Sequence, residues 1–129
     1  MIFMGSVKYP TENHYDSFVT AHGGSCNAMT EGEYTAFEFD VSAEYFKQAL
    51  DIFAHCLLSP LLSQDCSDRE INAIESEFNL ARNDDSVRLQ QLHCHMASHG
   101  HLLRKFTWGN ALSLKVKPQM NGIDVNRLL

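Results

Sequence analysis

The sequence has no hydrophobic run long enough to cross a membrane and no cluster of lysine and arginine. These two absences argue against a membrane-spanning protein and against a nucleic-acid partner, as does the formal net charge of −6. The first residues, Met1 to Gly5, also lack the basic region and the extended apolar core of a signal peptide. We therefore expect neither a nucleic-acid partner nor a membrane partner for this chain.

The cysteines of the chain show no paired motif. The four cysteines, at positions 26, 56, 66 and 94, form no Cys-x-x-Cys pair. In a chain of this size without a secretory signal, their spacing favours free thiols in a reducing compartment over two disulfides. The location expected from this interpretation is the cytoplasm.

The length of 129 residues corresponds to about one domain, with no internal repeat or low-complexity segment. Two short runs, Ser25 to Met29 and Tyr34 to Val41, predict an antiparallel hairpin because the second alternates with period two. Apolar residues at helical spacing predict helices over 13–22, 43–58, 66–83 and 87–98. Asn13, Ser42 and either Ser63 or Ser67 are the predicted N-caps.

Further expectations concern the buried residues of these elements and the last part of the chain. The predicted inner stripe of the 43–58 helix consists of Phe46, Leu50, Phe53, Ala54 and Leu57. Phe106 and Trp108 are predicted as buried anchors of an irregular segment, which precedes a short helix from Ala111 to Val116. A last helix is expected from Ile123 to Leu129. Both chain ends fall within predicted elements, which indicates a piece of something larger.

The helix predicted from Cys66 to Asn83 sets two acids beside an apolar stripe. At about 100° per residue, the stripe consists of Ile71, Ile74, Phe78 and Ala81. Glu70 and Glu77 lie nearly two turns apart, on the same side at the margin of this stripe, whereas Glu75 points toward water. A partly buried carboxylate needs a cation or a hydrogen-bond donor, so a metal ion or an arginine is expected nearby. The alternative is the solvated edge of an ordinary amphipathic helix.

Histidines are concentrated between positions 93 and 101. His95 and His99 are four residues apart, as two zinc ligands on one helix face would be. No glutamate follows His95, so the HExxH protease motif is absent, and no defined partner residues complete a site. We expect a polar helix end here, with a free-standing metal-binding module as the weaker alternative.

The strand from Ser25 to Met29 is a candidate peptide-binding edge. An edge strand can pair its backbone with an extended peptide, and the side-chain amide of Asn27 can add a hydrogen bond. The alternative is an ordinary short strand with Asn27 at a bulge.

Short motifs along the whole chain resemble the insulinase (pitrilysin) family. The segment Met1 to Ser6, with Lys8 to Pro10, resembles the stretch that directly follows the inverted zinc motif H-x-x-E-H of this family. Further matching motifs are His22-Gly23-Gly24-Ser25, Asn27-Ala28, Phe39-Asp40-Val41, Asp68-Arg69-Glu70, Ser76-Glu77 and Gly109-Asn110.

The resemblance implies the fold and the role of the site residues. The fold would be α+β, with antiparallel strands packed by helices, and residues 1–129 would be one partial N-terminal peptidase domain. Glu77 would be the third zinc ligand and Glu70 a supporting acid of the zinc site. Asn27 and Ala28 would hydrogen-bond the backbone of the peptide substrate.

The resemblance also implies what this chain does not contain. Both histidine ligands and the general-base glutamate belong to the H-x-x-E-H motif, which would end just before Met1. The expected function is therefore a fragment of a zinc metalloendopeptidase that hydrolyses peptides inside a closed chamber. Its remaining domains would be its partners, and the chain alone would be inactive. The alternative is a non-catalytic structural or regulatory homologue of the same fold.

Overall fold

A computed structural model of the chain describes residues 2–105 and 108–125, which form parts of two compact units, residues 1–66 and 67–129. The first unit contains α1 (His14–Ala21), β1 (Ser25–Thr30), β2 (Thr35–Asp40) and α2 (Phe46–Leu58). Helix α3 (Gln64–Ala81) begins in the last residues of the first unit and continues into the second. The second unit also contains α4 (Asp85–Met96), a π-helix (Leu112–Val116) and α5 (Lys117–Met120). Short 3₁₀ helices cover Ile2–Met4, Ala43–Tyr45 and Leu102–Arg104. This mixture of helices and antiparallel strands confirms the α+β class.

The predicted hairpin is confirmed. Strands β1 and β2 pair antiparallel, from Ser25 opposite Asp40 to Thr30 opposite Thr35. Just before β1, Gly24 lies against the backbone at the end of β2, where an added Cβ would be 1.9 Å from the carbonyl oxygen of Asp40. Only glycine fits this approach, so Gly24 determines how closely the chain entering β1 meets β2.

The core of the first unit lies between α1 and α2. Tyr15 and Val19 from α1 are buried against three side chains of α2, those of Ala49, Ile52 and Cys56. The predicted stripe of α2 was therefore wrong for Phe46, Leu50 and Leu57, which are exposed; Phe53 packs against the core as expected. Helix α2 carries apolar residues around most of its circumference, so two stripes have helical spacing, and contacts with α1 decide between them.

Asp51 of α2 holds the loop that precedes α1. Its Oδ2 accepts hydrogen bonds from the Nζ of Lys8 at 2.6 Å and from the hydroxyl of Tyr9 at 2.5 Å. The hydrogen bond from Lys8, followed by that from Tyr9, lowers the pKa of Asp51 below its usual range. The hydrogen bonds to Asp51 raise the pKa of Lys8 and of Tyr9. The loop is thus attached to the core helix by a charged pair and a phenol.

The predicted N-cap residues precede their helices as expected, but only some of them make a side-chain capping hydrogen bond. Asn13 precedes α1 as expected, but its φ is 58° and its side chain makes no capping hydrogen bond. Ser42 likewise makes no capping bond, and its hydroxyl instead donates to the carbonyl of His22 at 2.9 Å. Ser63 does cap α3, because its Oγ accepts the backbone N–H of Cys66 at 3.3 Å. Asp84 caps α4 by accepting two backbone N–H groups.

In the described part of the second unit, no hydrophobic side chain is buried. Trp108 was predicted to be buried, but 40% of it is exposed. It lies at an apolar cleft of about 520 Å³, which Phe78, Val87 and Leu92 also line. The described residues around Trp108 do not close over its ring, which explains the error. Phe106 lies outside the described residues, as does the end of the last predicted helix.

Two expectations from composition can be compared with the structure. All four cysteines are free thiols, as predicted. Among the helices that the structure describes, none combines the length and apolar character needed to cross a lipid bilayer.

Candidate functional site

Helix α3 carries the candidate metal-site acids. Its predicted stripe is confirmed, since Ile71, Ile74, Phe78 and Ala81 are all half-buried while most other positions of the helix are exposed. The helix begins at Gln64, two residues earlier than predicted, and ends at Ala81. The helical spacing of its apolar residues and the capping residue Ser63 were thus sufficient to predict this helix from sequence.

Glu70 and Glu77 lie on the same side of α3, two turns apart, as the spacing predicted. Glu70 is half-buried, which agrees with a position at the margin of the stripe, but Glu77 is exposed. The expected partial burial of Glu77 was therefore wrong. Its exposure leaves its carboxylate open to groups from outside the described residues.

Glu75 is the acid whose environment was predicted wrongly. It is half-buried, and its Oε2 accepts the backbone N–H of Ala111 at 2.7 Å. Its Oε1 accepts a hydrogen bond from the side-chain amide of Asn79 at 3.1 Å. The Asn79 contact follows from helical i, i+4 spacing and could have been foreseen. The Ala111 contact joins residues 36 apart in sequence, so the residues around Glu75 could not have predicted it.

His95 and His99 do not share a helix face, as the weaker metal-binding alternative required. Helix α4 ends at Met96, and Ala97 is extended with ψ of 155°, so His99 lies beyond the helix that carries His95. Both histidines are exposed. Over residues 2–105 and 108–125, no three His, Cys, Asp or Glu side chains are arranged to hold a metal ion.

Strand β1 presents Asn27 and Ala28 at the surface, where both are exposed. Within the described residues, β1 pairs with β2 alone, so its other edge is open. The backbone N–H of Ala28 donates to the Oδ1 of Asn27 at 2.9 Å rather than to β2. In an antiparallel pair, successive N–H groups alternate between the partner strand and the outer edge. The Ala28 N–H therefore faces the open edge, which is the geometry that an added strand requires.

A cleft of about 420 Å³ adjoins this edge of β1. Its lining includes Asn27 and Ala28, together with Phe3, Tyr15, Asp16, Cys26, Phe37 and Phe53. The thiol of Cys26 donates to the carboxylate of Asp16 at 3.2 Å. Burial, and then this hydrogen bond, raise the pKa of Cys26 to about 11. The thiol is therefore protonated near neutral pH and a poor nucleophile.

The family of the chain follows from comparison with known proteins. A family model described as "Insulinase (Peptidase family M16)" matches residues 1–107. The chain belongs to the insulinase family of peptidases. This is a metallopeptidase family, and the resemblance found in the sequence motifs is confirmed.

Individual insulinase-family relatives match the chain along its whole length. Human nardilysin is 49% identical over 129 residues, and human insulin-degrading enzyme is 44% identical over the same length. A crystal structure of pitrilysin matches 99% of the chain with a TM-score of 0.85 and 34% identity. The chain spans only 11% of human nardilysin, 13% of human insulin-degrading enzyme and 13% of that pitrilysin chain.

Proposed function

We propose that this chain is part of a zinc metalloendopeptidase and that α3 supplies one zinc ligand, Glu77. The observation that carries the proposal is the 49% identity to human nardilysin, which extends over every residue of the chain. Glu70, on the same side of α3, would support the metal site. In this proposal residues 1–129 form part of one N-terminal peptidase domain.

The residues of this chain fit zinc in part. A carboxylate oxygen is an accepted ligand of catalytic zinc, and Glu77 is exposed enough to meet ligands from elsewhere in the complete protein. When bound, zinc would supply Lewis-acid chemistry toward a peptide carbonyl and a water molecule. The described residues offer no set of three ligands, so we expect the chain alone to be inactive.

The open edge of β1 would align the peptide substrate. An extended peptide can pair with the outward-facing backbone groups of β1, including the N–H of Ala28. The side chain of Asn27 currently accepts that N–H at 2.9 Å, so it would turn to bond the peptide as the peptide replaces it. Affinity then comes from main-chain hydrogen bonds, whereas side-chain preference comes from the clefts beside the strand.

The remaining domains of the complete protein are the other proposed partners. They would close a chamber around short peptides, whereas the two histidine ligands and the general-base glutamate would come from the H-x-x-E-H motif of the same N-terminal domain. The relatives that match this chain are several times longer, which supports the existence of such domains.

Two experiments test this function. Reading the coding sequence upstream of Met1 is expected to reveal H-x-x-E-H in frame. Zinc titration of the 129-residue chain is expected to find no tight one-to-one site, whereas the complete protein should bind one zinc. Tight stoichiometric zinc and peptidase activity in the isolated chain would contradict the fragment proposal. A complete protein without the motif and without zinc would instead favour a non-catalytic homologue.

A further inference from the structure

A segment of the second unit, Gly109 to Lys115, runs along one face of α3. In the C-terminal half of α3, Glu75 accepts the N–H of Ala111 at 2.7 Å. Near its N-terminal end, the Nζ of Lys115 bonds the Oδ1 of Asp68 at 2.6 Å. The 109–115 segment therefore runs antiparallel to the helix and contacts it at two points, two turns apart.

These contacts lie on the opposite face from the candidate metal-site acids. Asp68 and Glu75 are seven residues apart and so share one face of α3. Glu70 and Glu77 each follow them by two residues, which corresponds to a rotation of about 200°. Attachment of the first face at two points restricts both the rotation and the axial position of the acids on the second face.

The residue types at the start of the 109–115 segment allow it to pack closely against α3. Gly109 has φ of 73°, and a Cβ there would lie 3.2 Å from Leu114 and 3.7 Å from Ile74 of α3. Asn110 and Ser113 then start the helical turn by reciprocal bonds, since the Oδ1 of Asn110 accepts the N–H of Ser113 and the Oγ of Ser113 accepts the N–H of Asn110.

The turn that follows has an unusual conformation. Residues Leu112–Val116 form a π-helix. Such turns are rare and are often found at functional sites. The ion pair at its end is partly shielded, with 44% of the Lys115 side chain and 37% of the Asp68 side chain exposed.

We infer that the 109–115 segment is a clamp that positions α3, with Glu75 as the positioning residue that orients Glu77 toward the metal. Glu75 itself touches neither metal nor substrate in this inference. The inference rests on the proposed function, because it assigns the clamp a purpose only if Glu77 is a zinc ligand.

The test uses three single variants of the complete protein, one double variant that combines Glu75→Leu with Ala111→Pro, and one control. Glu75→Leu removes the acceptor, and Glu75→Gln keeps an oxygen that can accept the Ala111 N–H. Ala111→Pro removes the donor instead, at a position whose φ of −58° suits proline. Glu44→Leu, at an exposed glutamate in the first unit, is the matched control. Two quantities are measured: amide hydrogen exchange of α3 in metal-free protein, and zinc affinity by competition with a chelator.

For Glu75→Leu and Ala111→Pro we expect exchange in α3 to be about tenfold faster, because each loses a hydrogen bond to a charged group. Zinc affinity should fall about 10- to 100-fold, as for other groups that orient a ligand. The Glu75→Leu, Ala111→Pro double variant should be no more impaired than either single variant. Glu75→Gln and Glu44→Leu should stay close to the unsubstituted protein.

Unchanged exchange in α3, or unchanged zinc affinity in Glu75→Leu, would overturn the inference. So would a Glu75→Gln protein as impaired as Glu75→Leu. If the unsubstituted complete protein binds no zinc, the proposed function fails and the positioning role fails with it. Faster exchange in the variants would then mark the clamp as a purely structural contact.

Discussion

Gly24→Ala should disturb the strand that carries the proposed peptide-aligning residues. The new Cβ would lie 1.9 Å from the carbonyl oxygen of Asp40 and 2.9 Å from the Cα of Val41. Real Cβ atoms stay beyond 3.0 Å, so the start of β1 must move away from the backbone of β2. Both neighbours are backbone, so no side-chain rotation can relieve the overlap.

The magnitude follows from the kind of overlap. Forcing extra atoms into a close-packed position costs about 1–3 kcal/mol. Because 1.4 kcal/mol is a factor of ten, amides of residues 25–40 should exchange about 5- to 150-fold faster in hydrogen–deuterium exchange. Gly32→Ala is the matched control: nothing lies within 4 Å of its added Cβ, so the same substitution should leave exchange nearly unchanged. Equal effects of the two substitutions, or none from Gly24→Ala, would refute the described approach of β1 to β2.

Three further predictions concern the first unit. Ile52→Ala, at a fully buried side chain, should lower the free energy of unfolding by about 2–5 kcal/mol in urea denaturation, whereas Leu58→Ala, at a side chain that is 79% exposed, should change it little. Asp51→Asn should lower the unfolding temperature near neutral pH. The lowered pKa of Asp51 makes its contribution present above the ordinary value of 3.8 and lost as pH falls through the folded value, so the difference should vanish in acid; a constant difference would contradict it. Cys26, with its pKa raised from 9.0 to about 11, should be alkylated at pH 8 about a hundredfold more slowly than an ordinary thiol, as measured by mass spectrometry.

Local pattern predicted the elements of the fold well. The period-two run found β2, and the caps and apolar spacing found α3 within two residues of its start. The spacing of residues did not predict which face of a helix is buried where that depends on contacts with residues distant in sequence. Helix α2 has two stripes of helical spacing, and only the contacts of Ile52 and Cys56 with α1 show which is buried.

For the candidate site, spacing placed Glu70 and Glu77 on one side of α3, and the structure agrees. The roles of these acids came from family resemblance and stay predictions. Spacing missed Glu75, because its partner Ala111 is brought near only by the path of the chain after α4. It also extended the 87–98 helix two residues beyond the end of α4 at Met96, because alanine at position 97 does not indicate a helix end.

The most direct test of the central claim is the zinc content of the complete protein with Glu77→Ala, measured after dialysis against a weak chelator. Glu44→Ala, at an exposed glutamate outside α3, is the control. We expect about one zinc per molecule in the control and a loss of zinc and of peptidase activity in Glu77→Ala, since a catalytic zinc site needs all three protein ligands. Full zinc occupancy in Glu77→Ala would contradict the assignment of Glu77 as a ligand.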